Sequence, residues 1–145
     1  WVGKYLEENL GGNLDIYKNM ACLTLEESDC WGAVHPRDAM LPELVLLLCG
    51  MIREQVETGR LQKKENECIC LTKKEFADFL FSAKEQWQSG WSKEYRKMEK
   101  EKLLRGVLEY MKNWMLLKMV DDQVILLPAV GRTAGVYPED FNVDR

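Results

Sequence analysis

A lone histidine, a C-x-C pair, one cluster of carboxylates and one run of cations are the residues whose types and spacing could do chemistry. His35 lies between Val34 and Pro36, and an imidazole that activates a nucleophile needs a serine or cysteine motif within reach. None adjoins it, which makes His35 a turn or surface residue. A metalloprotease H-E-x-x-H is impossible with one histidine, and neither the P-loop spacing nor G-x-G-x-x-G occurs. Glu26, Glu27 and Asp29 are neighbours in a polar stretch, where carboxylates are usually solvated rather than paired for glycosidase chemistry. Cys68 and Cys70, read on a strand, would point to one face. Zinc needs two further ligands at short paired spacing, and Cys22, Cys30 and Cys49 do not supply them. Packed thiols are the expectation, in a non-enzymatic protein with no cofactor and no metal.

The cations are more informative. Between Trp91 and Arg105, Lys93, Arg96, Lys97, Lys100, Lys102 and Arg105 outnumber Glu94, Glu99 and Glu101. Such a surplus on one helix can neutralise phosphates and reach base edges, so Lys93, Arg96, Lys97 and Lys100 are the candidates for contact with double-stranded DNA. The same residues can equally form a solvated face with interleaved ion pairs, each adding roughly a few tenths of a kcal/mol. Both readings stand on the residues alone. Tryptophan adds a different chemistry, because an exposed indole anchors protein partners. Trp31 and Trp91 are the candidates for partner contact, although most of the tryptophan area, Trp87 and Trp114 included, should be core.

The 145 residues carry 20 basic and 24 acidic side chains, a formal net charge of −4. That argues against coating nucleic acid by charge alone and leaves a local basic face as the route to DNA. With 46% apolar and 30% charged residues, the chain can bury roughly two thirds of its unfolded surface without disulfides. No apolar run approaches the ~20 residues of a membrane span; the longest, Leu44 to Cys49, reads as a buried helix segment, and no membrane contact is expected. Five cysteines, an odd number without framework spacing, fit a reducing cytoplasm. No basic and apolar leader opens the chain, and a first residue of Trp1 rather than Met leads us to expect further chain upstream.

These residues must be positioned by a short series of elements. Trp1, Tyr5, Leu6 and Leu10 recur at helical spacing, and Gly11-Gly12 can end that helix. Leu14 to Tyr17 and Met20 to Leu25 flank Lys18-Asn19 as a hairpin, and Trp31 to Pro36 reads as a connector. From about Arg37 to Thr58 apolar residues cover more than one face, as in a core helix, and Gly59 ends it. Cys68 to Leu71 is a short strand, and Thr72-Lys73-Lys74-Glu75 matches the capping box that starts a helix. That helix carries Phe76, Phe79, Leu80 and Trp87 on one side and stops near Gly90. Ser92 caps the next, predicted to run unbroken to about Trp114 with Met98, Leu104, Val107, Leu108, Met111 and Met115 as its stripe. Leu116 to Val120 and Val124 to Leu127 flank Asp121-Asp122-Gln123 as a second hairpin, closed by Pro128.

Helix, strand, helix, helix, hairpin over Arg37 to Pro128 is the order of a winged helix. The expected fold class is therefore α+β, mainly helical. Residues 1–30 read as the back half of a first winged helix, 37–130 as a second winged-helix domain, and 131–145 as a tail. An unrelated small α+β fold is the alternative. In a winged helix the basic segment is the front of the recognition helix and the second hairpin is the wing. Its tip, Asp121-Asp122, would repel phosphates, so a wing in the minor groove is disfavoured and protein contact is at least as well supported as DNA contact.

The stretch from about Leu41 to Arg132 resembles the second winged helix of the MukE-like subunits of bacterial SMC complexes, and most closely the corresponding subunit of Wadjet-type plasmid-defence systems. The matching features are the leucine-rich helix Leu41-Pro42-Glu43-Leu44-Val45-Leu46-Leu47-Leu48, the strand leading into Leu71-Thr72-Lys73-Lys74-Glu75-Phe76, the helix with Leu103-Leu104-Arg105-Gly106-Val107-Leu108, and the hairpin strand Val124-Ile125-Leu126-Leu127-Pro128-Ala129-Val130. They span the larger part of the chain and are apolar patterns rather than a catalytic signature. The resemblance implies a tandem winged-helix protein that forms a homodimer, binds a kleisin-like subunit and helps an SMC ATPase handle DNA, with no ATPase residue of its own. Against that pattern the first winged helix is incomplete and Thr133 to Arg145 has no counterpart. The competing functional reading is a winged-helix transcriptional regulator that reads an operator with the same basic helix; a piece in which the winged helix is only a scaffold is the third.

Overall fold

Apolar spacing of three and four at the amino end, followed by alternation, produces a helix and then a hairpin. In the computed structural model, which describes residues 2–25 and 32–133, helix α1 spans Val2–Leu10 and strands β1 (Asn13–Tyr17) and β2 (Met20–Thr24) pair antiparallel, Asn13 opposite Thr24 and Tyr17 opposite Met20. Two left-handed glycines join helix to hairpin, Gly11 at φ 70° and Gly12 at φ 92°. Gly12 admits no side chain, because a Cβ there would stand 2.1 Å from the Thr24 carbonyl oxygen. Glu7 ties the turn by accepting the Leu14 N–H at 2.9 Å. This unit, Trp1–His35, buries only Gly3 among its described residues. Glu26, Glu27, Asp29, Cys30 and Trp31 lie outside the described residues, as do residues 134–145 of the tail.

The second unit, Pro36–Arg145, is α+β and mainly helical. Its elements are α2 (Met40–Glu57), β3 (Ile69–Thr72), α3 (Lys73–Trp87), a single 3-10 turn at Gln88–Gly90, α4 (Lys93–Lys97), α5 (Lys100–Asn113), β4 (Leu117–Val120), β5 (Gln123–Leu126) and α6 (Ala129–Arg132). Helix α2 carries apolar side chains on more than one face because it is packed by α3, α5 and α6; Leu44, Val45, Leu48, Cys49 and Ile52 are fully buried. It ends in a Schellman motif: Arg60 N–H donates to the Gln55 carbonyl and Gly59 N–H to that of Val56, with Gly59 at φ 75°. Thr72 closes β3 and opens α3. Its Oγ1 accepts the Glu75 N–H at 3.1 Å, and the Glu75 carboxylate accepts the Thr72 N–H at 2.7 Å, so two otherwise orphaned donors are satisfied reciprocally.

The three-stranded antiparallel sheet has the order β3-β5-β4, with Ile69 and Leu117 on either side of Leu126. Alternation sends Ile69, Leu71, Leu117, Val124 and Leu126 inward to meet Phe76, Leu80, Leu103, Leu104, Val107 and Met111 in one core. Burying each such side chain stabilises by roughly 1.5–3 kcal/mol, and every buried hydrophobic side chain among the described residues lies in this unit. The stripe from Leu104 is thus pressed onto a core that the β4–β5 ribbon helps to close. No described helix is long and apolar enough to cross a membrane.

Several local expectations are corrected. The helix predicted from Ser92 to about Trp114 is two helices, because Met98 (ψ 135°) and Glu99 (ψ 143°) are extended. Met98 packs on the core, and Lys84 Nζ, fourteen residues upstream, donates to its carbonyl at 3.2 Å, so tertiary contacts replace the intrahelical bonds that the break gives up. Met115 is not on the buried stripe; it is 68% exposed with φ 55°, at the left-handed position that ends α5. Cys68 precedes β3 and is buried, while Cys70 is half-buried on the strand face opposite Ile69 and Leu71. Gln123 belongs to β5, opposite Val120, which leaves a turn of Asp121 and Asp122 alone. Helix α6 continues beyond residue 130 into the segment read as tail, because Val130 is buried against α2.

Candidate functional site

The basic segment is shaped by three local devices. Ser92 Oγ accepts the Tyr95 N–H at 3.4 Å and starts α4, while its own N–H points at Met40 Sδ, 3.3 Å away. Tyr95 packs on the core beside Met98, and burial, with Glu94 adding to it and Arg37 opposing, holds its phenol above the ordinary pKa. The extended pair Met98-Glu99 then turns the chain into α5. Glu99 occupies the capping position but makes no side-chain cap bond.

This geometry regroups the cations. Lys93, Arg96, Lys97 and Lys100 are all exposed, as a DNA contact requires. They do not form one row: a surface groove is lined by Lys93, Glu94, Lys97, Met98, Glu99 and Lys102, without Arg96 and Lys100. The Lys100 ammonium instead lies 5.0 Å from the centre of the Phe81 ring, a contact worth about 0.5–1 kcal/mol at an exposed site. Ion pairs among the described residues include Lys4–Glu8, Arg53–Glu57 and Lys63–Glu67. None involves the basic segment, so the interleaved pairs weighed for a solvated face do not form there. A helix interrupted at Met98 cannot keep that spacing across the break.

The hairpin turn carries Asp121, at φ 53°, and Asp122, both exposed. Lys73 N–H donates to the Asp122 carbonyl at 3.0 Å, which ties the turn to the start of α3. A second groove along α5 and β4 is lined by Leu104, Leu108 and Met119 together with Lys73, Arg105, Lys112, Glu101 and Glu109; residue order did not group Lys73 with Arg105 and Lys112, because it comes from α3 while they come from α5.

Trp91, read as a partner anchor, is only 2% exposed and belongs to the core. Its position follows from the tight Gln88–Gly90 turn, whose end bond from Trp91 N–H to the Gln88 carbonyl measures 3.0 Å. It cannot serve as an exposed anchor, and Trp31 lies outside the described residues. The indole Nε1 of Trp91 has no hydrogen-bond partner. His35 is half-buried, and burial pushes its imidazole below the ordinary value. Burial pushes the Cys49 thiol up to about 12, so it is a small hydrophobe rather than a nucleophile. Among the described residues no group of three or more histidine, cysteine, aspartate or glutamate side chains is placed to hold a metal ion.

A family model described as Protein of unknown function (DUF2398) matches residues 2–136. No curated protein and no solved structure matches the chain.

Proposed function

The chain belongs to the DUF2398 family of proteins of unknown function, and for it we propose the role of a non-enzymatic, MukE-like winged-helix subunit that binds a kleisin-like protein and helps an SMC-type ATPase handle DNA. The observation that carries the reading is the acidic turn of the β4–β5 hairpin: Asp121 and Asp122 stand exposed where a wing would approach a duplex, and carboxylates there repel phosphates. A surface so arranged favours protein over minor groove. The element order of the second unit and its β3-β5-β4 pairing support a winged helix as the scaffold, and the exposed cations of α4 and early α5 support a subsidiary contact with DNA.

Co-expression with a kleisin-like protein and a coiled-coil SMC-type ATPase from the same genome tests the role. A complex that co-elutes in size-exclusion chromatography is the expected result; separate elution at low and moderate salt would overturn it. The second reading, a transcriptional regulator, is favoured by the unpaired cations Lys93, Arg96 and Lys97. It requires sequence-selective duplex binding without a partner, and failure to bind duplex at low salt removes it while leaving the assembly role in place.

A further inference from the structure

We propose that Lys93, Lys97 and Lys102 are the side chains with which this protein grips the phosphate backbone of double-stranded DNA, in the groove between α4 and α5, and that Arg96 and Lys100 lie outside that contact. The inference rests on the DNA-handling part of the proposed function and specifies which residues carry it. Lys93 and Lys97 are four residues apart on α4, about 6 Å along its axis, and both line the groove; Lys102 reaches the same groove from α5. An unbroken helix would have set Lys102 apart from them. The break at Met98-Glu99 brings the three together.

Charge and occupancy sort the remaining residues. The three lysines are exposed and in no ion pair with Glu94 or Glu99, so a phosphate meets them without an existing bridge being broken. Lys100 is drawn to the Phe81 ring, and Arg96 does not line the groove. Apart from the charged residues, the lining supplies only the Met98 side chain, which offers no hydrogen bond to a base edge. No amide or hydroxyl in the lining reads a base edge, so the contact proposed for the lysines is to phosphate. Glu94 and Glu99 in the same lining hold the affinity down.

The test uses the full chain and a fluorescently labelled duplex of random sequence, with anisotropy followed over a salt series. Changing Lys93, Lys97 and Lys102 together to alanine should reduce the slope of log affinity against log salt by about 2.7, roughly 0.9 for each phosphate that is no longer neutralised. The double change Arg96→Ala with Lys100→Ala should leave the slope unaltered, and Glu94→Gln with Glu99→Gln should tighten binding. Thermal melting of each variant confirms that these exposed substitutions leave the fold intact. A slope diminished in the Arg96 and Lys100 pair but kept in the triple variant overturns the assignment, as does absence of duplex binding by the unaltered chain at low salt. Either result leaves the co-elution test of the assembly role standing on its own.

Discussion

At the scale of single residues, the left-handed positions and the buried thiol make the firmest statements. Met115 ends α5 in a Schellman arrangement, with Leu116 N–H donating to the Met111 carbonyl at 2.9 Å and Met115 N–H to that of Lys112 at 3.1 Å, yet it is not glycine. A side chain in this conformation costs roughly 1–2 kcal/mol, and a methionine 68% exposed recovers little by packing. Met115→Gly should therefore stabilise the protein by up to about 1 kcal/mol once the greater freedom of unfolded glycine is subtracted, read as a higher urea midpoint at unchanged slope. A lower midpoint would show that the Met115 side chain packs more than its exposure indicates. Cys49, with its thiol pushed up to about 12, should resist a thiol reagent at neutral pH in the native protein and react only on unfolding. Half-buried Cys22 and Cys70 should be labelled before it; early modification of Cys49 would contradict its burial.

At the scale of elements, the junction from β3 to α3 depends on the reciprocal bonds of Thr72 and Glu75. Thr72→Ala should cost about 0.5–2 kcal/mol, while the neighbouring exposed Lys74→Ala serves as a control with little effect. The same bonds give the junction a pH dependence. Hydrogen bonds from the Thr72 backbone and hydroxyl hold the Glu75 carboxyl below its ordinary value. The folded state thus binds its proton more weakly than the unfolded chain does, and the contribution is complete above the unfolded value, about 4.3, and lost as pH falls through the folded one. Stability measured by urea unfolding from neutral pH downward should lose this part of its acid dependence in Glu75→Gln; an identical acid profile would mean that the carboxylate is not bound as described. The α4–α5 break is governed differently. Its bond comes from Lys84 on another helix, so its stability is a property of packing rather than of the segment.

At the scale of the whole molecule, two units differ in kind. The second holds every buried hydrophobic side chain among the described residues, while the first leaves Val2, Tyr5, Leu10, Ile16 and Tyr17 exposed. Cooperative unfolding should accordingly report on residues 36–133. Leu104→Asp, at a position only 5% exposed in that core, should destabilise by roughly 4 kcal/mol or more, whereas Leu104→Met should cost less than about 1.5 kcal/mol. Equal melting temperatures for the two variants would mean that the α5 stripe faces away from the core, and with it the β4–β5 ribbon would lose its place in the architecture.

The local chemistry of short segments was legible from residue order: the apolar period of α2, the capping box at Thr72, the left-handed Gly59 and the two hairpins each depend on partners within a few positions, and the mainly helical α+β class follows from them. The interruption at Met98, the burial of Trp91, the withdrawal of Lys100 onto Phe81 and the meeting of Lys93, Lys97 and Lys102 were not. Nothing in Lys97-Met98-Glu99-Lys100 breaks a helix, since no glycine or proline is present. The interruption arises because Met98 gains a place against the core and a hydrogen bond from Lys84, both supplied by distant parts of the chain. Which cations share a surface is therefore set by packing across elements, where spacing along the chain carries no information.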